Sequence, residues 1–550
     1  MHFFRFLGLS APLAVLAVVF ACAARSAEYV ENSSFERETG AWLGNWAGHN
    51  ARLLPIRGGA AGRYAVRVLQ RRGARDFSIV PKRTPVTSAV GRKTYVASAW
   101  VRSTRPGRRV FLRVREWRRG EVVSSAQVSV VTTHRWQRLP LLNYRARASG
   151  SALDVYVYQP DAADGDRFDV DDLSLADPVT ATATDHAHVR LDWSPVFDAV
   201  RYAVYRDTLL VGVTRGRSFT DALLWPETSY AYRIAALDRR GDVITTRVAA
   251  ATTMRLPAAG FPRPFPETSF WNRPVGPDPR IDPRTGARIA YLLRDMRAPN
   301  LALHEFAVAV AEAHPDDPRY AVPCLRYRRC TLGAFGRIPI PLTAQPDVGK
   351  DGHLAVYDPG TQRSWDMWQA SRRGNSWVAS AGAAVSTRGP GVAPPGTIGA
   401  NAANFPLLGG LIRPEEILQG RIDHALVFTL PHLGRGRPVC PATHNAGSSR
   451  DPDALREGHH LQLDPALDVS TLPIAAWQRP IMRAMQVYGM YLRDGGGTLA
   501  ILAENPISRG YDAWGRVAPE LAAPRESMLL PGVPWERFRV LAAPDGPHCK

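Results

Sequence analysis

Residues 95–102 read Tyr-Val-Ala-Ser-Ala-Trp-Val-Arg, a short run rich in β-branched and aromatic side chains with alternating polarity. This period of two is typical of a β-strand, in which successive side chains point to opposite faces of a sheet. Similar runs recur at residues 110–115, 126–131 and 152–158, separated by glycine, proline and polar turns. The pattern predicts that residues 28–178 form an antiparallel β domain.

The two ends of this segment carry Asn-Ser-Ser-Phe-Glu at residues 32–36 and Phe-Asp-Val-Asp-Asp-Leu-Ser-Leu at residues 168–175, with Trp136-Gln137 before a late strand. In these residues the segment resembles the jelly-roll carbohydrate-binding modules that accompany secreted glycan-degrading enzymes. The resemblance implies a jelly-roll sandwich. It also implies a structural calcium held by Glu36 and Asp172, because calcium requires several hard oxygen ligands.

Three tryptophans of this segment are candidates for sugar binding, because exposed aromatic rings stack on the apolar faces of sugars. Trp42, Trp46 and Trp117 lie near predicted turns. Trp100 alternates with apolar neighbours, which favours a place in the core. For each of the three candidates, burial in the core is the open alternative.

Residues 179–257 contain Val-Arg-Leu-Asp-Trp at 189–193, Tyr-Ala-Val-Tyr at 202–205 and Tyr-Ala-Tyr-Arg-Ile-Ala at 230–235. In these runs the segment resembles a fibronectin type III module, an immunoglobulin-like sandwich. The resemblance implies that Trp193 lies in the core and that Tyr232 makes a corner hydrogen bond. We expect this module to act as a spacer.

The last unit, residues 258–550, is entered through a stiff proline-rich segment between Pro257 and Pro266. Strand-like runs dominate it, and two helices are predicted. The runs are residues 353–357, 364–370, 424–430 and 498–503, and the helices are 414–418 and 480–488. This pattern predicts a β-sandwich or jelly roll with a few helices, so the whole chain is predicted to be mostly β.

Residues 1–27 have the features of a secretory signal peptide. Arg5 is followed by the apolar run 13–21 and then by small residues. No later stretch approaches the roughly 20 apolar residues of a membrane helix, so no membrane span is predicted. We therefore expect a secreted protein, either extracellular or periplasmic.

Four cysteines follow this segment, an even number in a compartment that permits disulfides. Three pairings are possible. We favour Cys324 with Cys330, a short local loop, and Cys440 with Cys549, which would attach the C-terminal tail to the last domain.

The 550 residues carry a formal net charge of +19. The positive electrostatic field of such a charge favours acidic partners. For an exported protein we expect an extracellular polysaccharide, either acidic or neutral. The alternative is a solvated surface that happens to be rich in arginine. Nucleic-acid binding would rest on charge alone and is not expected. The sequence does not indicate an oligomeric state.

Several motifs of the last unit contain groups suited to acid–base chemistry. The motifs are Asp351-Gly352-His353, residues 365–369, 413–416, Asp423-His424, residues 441–445, and 488–491 with Asp494. In their order these motifs resemble the C-terminal domain of a group of secreted bacterial proteins, a resemblance that transfers no reaction. Asn401 and Asn404 stand where that group usually has an Asp and a Gly, so neither receives a role.

The first functional hypothesis is β-elimination on a uronate polymer, which needs a base, a proton donor and a group that neutralises the carboxylate. His424 or His444 would be the base, Tyr488 the donor and Arg413 the neutralising cation. A structural histidine is the open alternative for each imidazole. No cofactor is required for this chemistry.

The second hypothesis is glycoside hydrolysis by two carboxylates. Asp366 and Glu416 are the first pair, and Asp494 is held in reserve. Asp366 and Trp368 share one face of a predicted strand, which suits a sugar groove, and Trp368 and Gln369 are the candidate substrate-binding residues. For Glu416 the alternative is a structural charge at a helix N-terminus after Pro414.

A third hypothesis, from a different class, is a non-catalytic adhesin that holds glycan with three β modules. The chain has no sharply diagnostic catalytic motif. A metal site of His353, His424 and His444 is less favoured, because no familiar ligand spacing links them. The sequence therefore predicts a polysaccharide-cleaving enzyme and leaves its reaction open.

Overall fold

The computed structural model describes residues 28–36, 43–60, 62–193, 196, 199–327 and 330–544. The predicted signal peptide, Trp42 and Cys549 lie outside these residues. The mostly β fold is confirmed, with sheets in all three units. No helix in the described ranges is long and apolar enough to cross a membrane.

The first unit is a sandwich of two antiparallel sheets. One has the order β1-β4-β10-β6-β7 and the other β2-β3-β11-β5-β8, with β9 also paired to β5. The alternating polarity of β10 places Leu153, Val155 and Val157 in the core between the sheets. The strands are β1 (Trp46–His49), β2 (Ala51–Arg57), β3 (Tyr64–Gln70), β4 (Phe77–Pro81), β5 (Thr94–Arg102), β6 (Arg109–Arg118), β7 (Glu121–Val131), β8 (Gln137–Arg138), β9 (Leu142–Arg145), β10 (Ala152–Gln159) and β11 (Arg167–Ala176).

The second unit is a smaller sandwich, with sheets β12-β13-β16 and β15-β14-β17-β18. Trp193 is buried in its core, and the Tyr232 hydroxyl donates to Asp221 at 3.0 Å. The strands are β12 (Thr180–Ala183), β13 (Val189–Asp192), β14 (Arg201–Arg206), β15 (Leu209–Thr214), β16 (Ser218–Asp221), β17 (Ser229–Leu237) and β18 (Val243–Thr252). Its assignment to the fibronectin type III family stays a prediction.

The third unit contains two larger sheets, with the orders β33-β19-β31-β28-β30-β29-β34 and β27-β24-β23-β20-β32. Both are mixed, since β19 with β31, β28 with β30, and β20 with β23 and β32 run parallel. The strands are β19 (Asn300–Ala302), β20 (Val308–Glu312), β21 (Arg319–Tyr320), β22 (Ile338–Pro339), β23 (Leu354–Asp358), β24 (Arg363–Trp368), β25 (Ser371–Arg373), β26 (Ser376–Val378), β27 (Ala381–Ser386), β28 (Leu426–Leu430), β29 (His460–Leu463), β30 (Met490–Gly495), β31 (Ala500–Leu502), β32 (Glu504–Asn505), β33 (Ser527–Leu529) and β34 (Phe538–Val540).

Four α-helices lie in the described part of this unit: α1 (Thr285–Asp295), α2 (Pro414–Gln419), α3 (Gln478–Val487) and α4 (Ala513–Val517). The structure has α2 and α3 close to the predicted ranges, whereas α1 and α4 were not predicted. Pro414 occupies the first turn of α2, and the Glu416 carboxylate accepts the Arg413 N–H at 2.8 Å. This cap satisfies a donor that the helix itself leaves unpaired.

The predicted disulfide between Cys324 and Cys330 is confirmed. The pairing of Cys440 with Cys549 stays a prediction, because Cys549 lies outside the described residues.

The second unit is in contact with both neighbours, and its predicted role as a spacer stays a prediction. Asp172 of the first unit accepts hydrogen bonds from the Thr245 and Thr246 hydroxyls of β18. On the other side, the Arg206 guanidinium donates to the carbonyl oxygen of Arg509 at 2.5 Å. These buried polar groups no longer contact water. Their hydrogen bonds must therefore come from the neighbouring unit.

Candidate functional site

The predicted catalytic residues fall into two separate places in the third unit. His424, Glu416 and Arg413 line a cavity at the boundary with the second unit. Asp366 instead lies near a buried arginine, Arg493 of β30, which was not predicted. Among the described contacts, Trp368 and His444 are linked to this arginine only through Asp351 and Ala402.

Arg493 is 1% exposed, and its Nε and Nη1 atoms have no hydrogen-bond partner in the described part of the chain. Burial lowers its pKa to about 10, and the charges of Asp494, Asp366 and Asp351 oppose this shift. A buried cation with incomplete hydrogen bonding is costly, so the three carboxyl groups supply its main compensation. Together with His444, these residues are called the Arg493 centre below.

Asp494 is the next residue of β30 and is only partly buried. Its carboxyl accepts the N–H of Ala402 at 3.1 Å and that of Gly495 at 2.8 Å. Burial raises the pKa of Asp494 to about 6; the Arg493 charge works against this rise, and the Asp351 charge adds to it. Asp494 can therefore hold a proton in mildly acidic solution, as a general acid must.

Asp351 provides a second carboxyl group at the same centre. Its Oδ1 accepts the indole N–H of Trp368 at 3.0 Å. The Trp368 ring is partly exposed, with the Tyr327 ring 6.4 Å away and the Arg326 guanidinium 5.6 Å from its centroid. Trp368 thus couples an aromatic surface suited to a sugar ring directly to a carboxylate.

Gln369 is exposed beside this aromatic surface. Its side chain bonds to the carbonyl oxygen of Lys350 at 3.3 Å and to the Ser380 hydroxyl at 2.6 Å. It remains a candidate for contact with substrate.

Asp366 lies behind this surface rather than on it. The residue is 1% exposed, and its oxygens accept from the Ser364 hydroxyl at 2.7 Å and the Leu407 N–H at 3.1 Å. Burial raises its pKa to about 6. Its position corrects the predicted catalytic role: Asp366 cannot touch a substrate, and its charge acts on Arg493.

His444 lies in a loop, as predicted, and its Nδ1 is 2.9 Å from the carbonyl oxygen of Ala402. A carbonyl only accepts, so Nδ1 carries a proton, and in the tautomer with a single N–H the Nε2 atom has the lone pair. Ala402 also donates its N–H to Asp494. Ala402 therefore hydrogen-bonds to both His444 and Asp494.

His424 lies at the cavity and not at the Arg493 centre. Its Nε2 is 3.0 Å from a Glu416 oxygen, and its Nδ1 is 2.8 Å from the carbonyl oxygen of Ala425. Burial lowers the pKa of His424, but the Glu416 charge and hydrogen bond outweigh burial and raise it. The Glu416 carboxylate thus occupies one ring nitrogen of His424 and a backbone carbonyl the other, and the role of His424 as the base stays a prediction.

The other predicted groups near the cavity are also held by partners. The Arg413 guanidinium is paired with the buried Glu504 carboxylate. Tyr488 follows α3 on this side, within range of the charges of Asp423 and Arg263. Among the described contacts none joins Tyr488 to His444 or Glu416 to Asp366. His424 and Arg413 line the same cavity and Tyr488 lies near it, so this combination for β-elimination stays a prediction.

The first unit carries an aromatic surface on the solvent face of its five-stranded sheet. Trp117 lies there and donates its indole N–H to Asp154 at 2.9 Å, and its predicted role in sugar binding stays a prediction. The Arg115 guanidinium lies 4.7 Å from the Trp117 ring and 4.6 Å from the Tyr156 ring. We call the following side chains the aromatic platform: Phe111, Arg113, Arg115, Trp117, Asp154, Tyr156 and Tyr158.

Most of this platform was missed from the sequence, although the alternation of residues 152–158 places both tyrosines on one face. Trp46 is a correction, since it is 2% exposed and packs on Phe35 in the core. Trp42 lies outside the described residues, so its predicted role stays open.

The predicted calcium ligands are held by protein donors. Both oxygens of Asp172 accept hydrogen bonds from the second unit, so Asp172 does not fit a calcium ligand. Glu36 accepts the N–H groups of Arg63 and Tyr64 at 2.8 and 2.9 Å. Within the described ranges no group of three or more His, Cys, Asp or Glu side chains could hold a metal ion.

Comparisons with known proteins give limited matches. No protein-family model matches the chain. A stretch of 76 residues, 13% of the chain, is 35% identical to an α-amylase from Niallia circulans and covers 6% of that enzyme. The chain therefore spans only a small part of this relative.

Similar solved structures include the arabinose-bound α-L-arabinofuranosidase MgGH51, with 20% identity over 28% of this chain and 27% of that chain and a TM-score of 0.25. Xylanase 10B from Clostridium thermocellum has 15% identity, coverage of 28% and 29%, and a TM-score of 0.22. The carbohydrate-binding module TmCBM61 has 18% identity, coverage of 27% and 98%, and a TM-score of 0.20.

Proposed function

We propose that the chain is a secreted polysaccharide-cleaving enzyme that hydrolyses glycosidic bonds at the Arg493 centre. The observation that carries this proposal is Asp494, a partly exposed carboxyl with a pKa raised to about 6, in range of the second carboxyl Asp351. Glycosidases use two carboxyl groups whose surroundings assign them different protonation states. The match to an α-amylase segment supports an association with glycans.

In this mechanism Asp494 donates its proton to the glycosidic oxygen as the bond breaks. Asp351, fixed by the Trp368 indole, acts on the opposite side of the sugar, either on water or on the sugar carbon itself. Trp368 stacks on the sugar ring and so places the bond next to Asp494. The net charge of +19 would raise the local concentration of an acidic polymer.

A β-elimination at the same centre is the second candidate, and His444 favours it. The lone pair on Nε2 can accept the proton α to a uronate carboxylate, and Asp494 can protonate the leaving oxygen. This assignment differs from the predicted mechanism, which uses His424, Tyr488 and Arg413.

The test is to incubate the mature protein with a panel of acidic and neutral polysaccharides and to follow reducing ends together with ultraviolet absorbance. New ends without absorbance support hydrolysis. New ends with rising absorbance support elimination, because only elimination leaves an unsaturated uronate. Binding to one glycan with neither signal would contradict both and would identify an adhesin.

The pH profile of turnover is a direct prediction. Because Asp494 must hold its proton, kcat/KM should fall as the pH rises through about 6, by roughly tenfold per unit at higher pH. Glu457, whose pKa burial raises to about 7, also titrates in this range. The profile of Glu457→Gln distinguishes the two groups: loss of the alkaline limb in this variant would assign that limb to Glu457 and contradict the role of Asp494.

A second prediction concerns the aromatic platform. Replacing Trp117 or Tyr156 by Ala should weaken binding of the cleaved polysaccharide about tenfold or more in affinity electrophoresis, because each ring loses a stacking surface. Trp46→Phe changes a core ring of the same unit and should leave binding unchanged. Equal binding by wild type and both platform variants would show that the first unit binds glycan elsewhere or not at all.

A further inference from the structure

The cavity between the second and third units has a volume of about 280 Å³. This lies near the lower end of the roughly 300–1,000 Å³ of small-molecule sites, so it suits a single small ligand. Its walls come from both units, with Asp185, His186 and His188 on one side and Glu312, Arg413 and Glu416 on the other. Docking of the second unit therefore creates a site that neither unit has alone.

The charged groups of the walls have charged partners. His188 lies 2.8 Å from Asp185 and 2.7 Å from Glu312, and these hydrogen bonds raise its pKa to about 10 against the effect of burial. His424 is paired with Glu416 in the same way. An ionic ligand would have to separate one of these pairs, so the walls favour a neutral one.

Some wall groups are nevertheless available to a polar ligand. His186 is 6% exposed, and neither of its ring nitrogens hydrogen-bonds to a described residue. Burial lowers its pKa and so favours the neutral ring, which offers one donor and one acceptor. The His186 ring meets the Phe261 ring edge-on at 5.7 Å, and Phe261 itself lines the cavity.

A neutral imidazole next to an aromatic face suits a molecule with hydroxyl groups on one side and C–H groups on the other. We propose that this cavity is a second ligand site, separate from the Arg493 centre, that binds one neutral sugar unit. Phe261 and Leu408 contact the apolar face of the sugar, and His186 hydrogen-bonds to its hydroxyls. The site binds and does not cleave, because its carboxylates and imidazolium groups hold each other.

The test is to titrate the full-length protein separately with D-glucose, D-galactose, D-xylose and L-arabinose, using ligand-observed NMR and calorimetry, with D-glucuronate as the charged probe. We expect saturable binding of at least one neutral sugar and weaker binding of glucuronate. His186→Ala and Phe261→Ala should each weaken binding about tenfold or more. Phe261→Tyr keeps the ring and should retain binding.

Leu408→Trp fills the cavity without removing a polar group and should also abolish binding, which covers the case of an unstable alanine variant. Two control variants change the other sites: Trp117→Ala removes a ring of the aromatic platform, and Asp494→Asn changes the Arg493 centre. Sugar binding in the cavity should survive both substitutions. Binding that survives Leu408→Trp but is lost in Trp117→Ala or Asp494→Asn would overturn the proposal. So would the absence of binding by all four neutral sugars, or tighter binding of glucuronate.

Discussion

Replacing Asp494 by Asn should reduce turnover of the susceptible polysaccharide by about 10²–10⁴-fold, because the amide has the size of the acid but no proton to donate. Substrate binding should change little, since Trp368 and the aromatic platform remain. The measurement is kcat and KM of the purified variant from reducing ends. A loss in kcat with KM retained identifies an interaction made only in the transition state.

Two comparisons make this result specific. Asp464→Asn removes a carboxylate of the same domain that is paired with Arg537 at the surface, and it should keep wild-type turnover. Asp351→Asn should also inactivate the enzyme, because hydrolysis needs both carboxyl groups. An Asp494→Asn variant with wild-type kcat would remove the proposed mechanism, whatever the glycan.

A substrate with an activated leaving group provides a further check. Such a leaving group departs without protonation, so Asp494→Asn should recover much of its activity on an aryl glycoside, whereas Asp351→Asn should not. Equal losses for both variants on this substrate would contradict the assignment of Asp494 as the acid.

Much of the fold could be predicted from local patterns. The alternation of polar and apolar residues at 152–158 predicts which face of the strand is buried. Pro414 followed by two glutamates predicts the start of a helix. These features depend on residues adjacent in sequence. The mostly β architecture followed from them, as did the approximate ranges of α2 and α3.

The Arg493 centre could not be assembled in this way, because its members come from β30, the turn before β23, β24 and the loop of His444. Whether an aspartate faces substrate or protein depends on these long-range contacts: Asp366 and Asp494 look alike in sequence, yet only Asp494 is partly exposed. The sequence did contain one indication of this site, because Arg493 directly follows the apolar run Met490, Tyr491 and Leu492, all of which are buried. A charged residue in that position indicates either the end of a strand or a buried ion.

The same limit applies to tryptophans and histidines. Trp46 and Trp117 both lie near turns, but only the pairing of β1 with β4 decides that Trp46 enters the core. The pKa of His424 is raised by Glu416, which lies eight positions earlier in the sequence, in helix α2. The fold class could therefore be predicted from the sequence, whereas the burial and protonation of individual side chains could be assigned only from the tertiary structure.

Replacing Arg509 by Ala should have the largest effect on stability, about 3–5 kcal/mol. Arg509 is 2% exposed and forms two-pronged contacts with both Glu415 and Glu504, which are also buried. Without the guanidinium these carboxylates keep their charge in a poorly solvated place, with Arg413 left as a partner for Glu504 only. Calorimetry of the full-length protein should show the transition of the third unit shifted to lower temperature.

Arg509→Lys tests whether the geometry matters as well as the charge. A lysine ammonium cannot offer parallel N–H pairs to two carboxylates, so this variant should lie between wild type and Arg509→Ala. Arg294→Ala removes a mostly exposed partner of Asp451 in the same unit, and its effect should stay within about 1 kcal/mol. Similar shifts for Arg294→Ala and Arg509→Ala would show that the buried network does not stabilise the fold.

The same network predicts how stability depends on pH. Burial raises the pKa of Glu504, but the charges of Arg413 and Arg509 outweigh burial and lower it. A depressed carboxyl pKa stabilises the fold above the unfolded pKa, and this contribution disappears as the pH falls through the folded value. The difference in stability between wild type and Arg509→Ala should therefore shrink in acid, because protonation relieves the unpaired carboxylates of the variant. A difference that stays constant down to acidic pH would mean that Arg509 acts through packing and not through its charge.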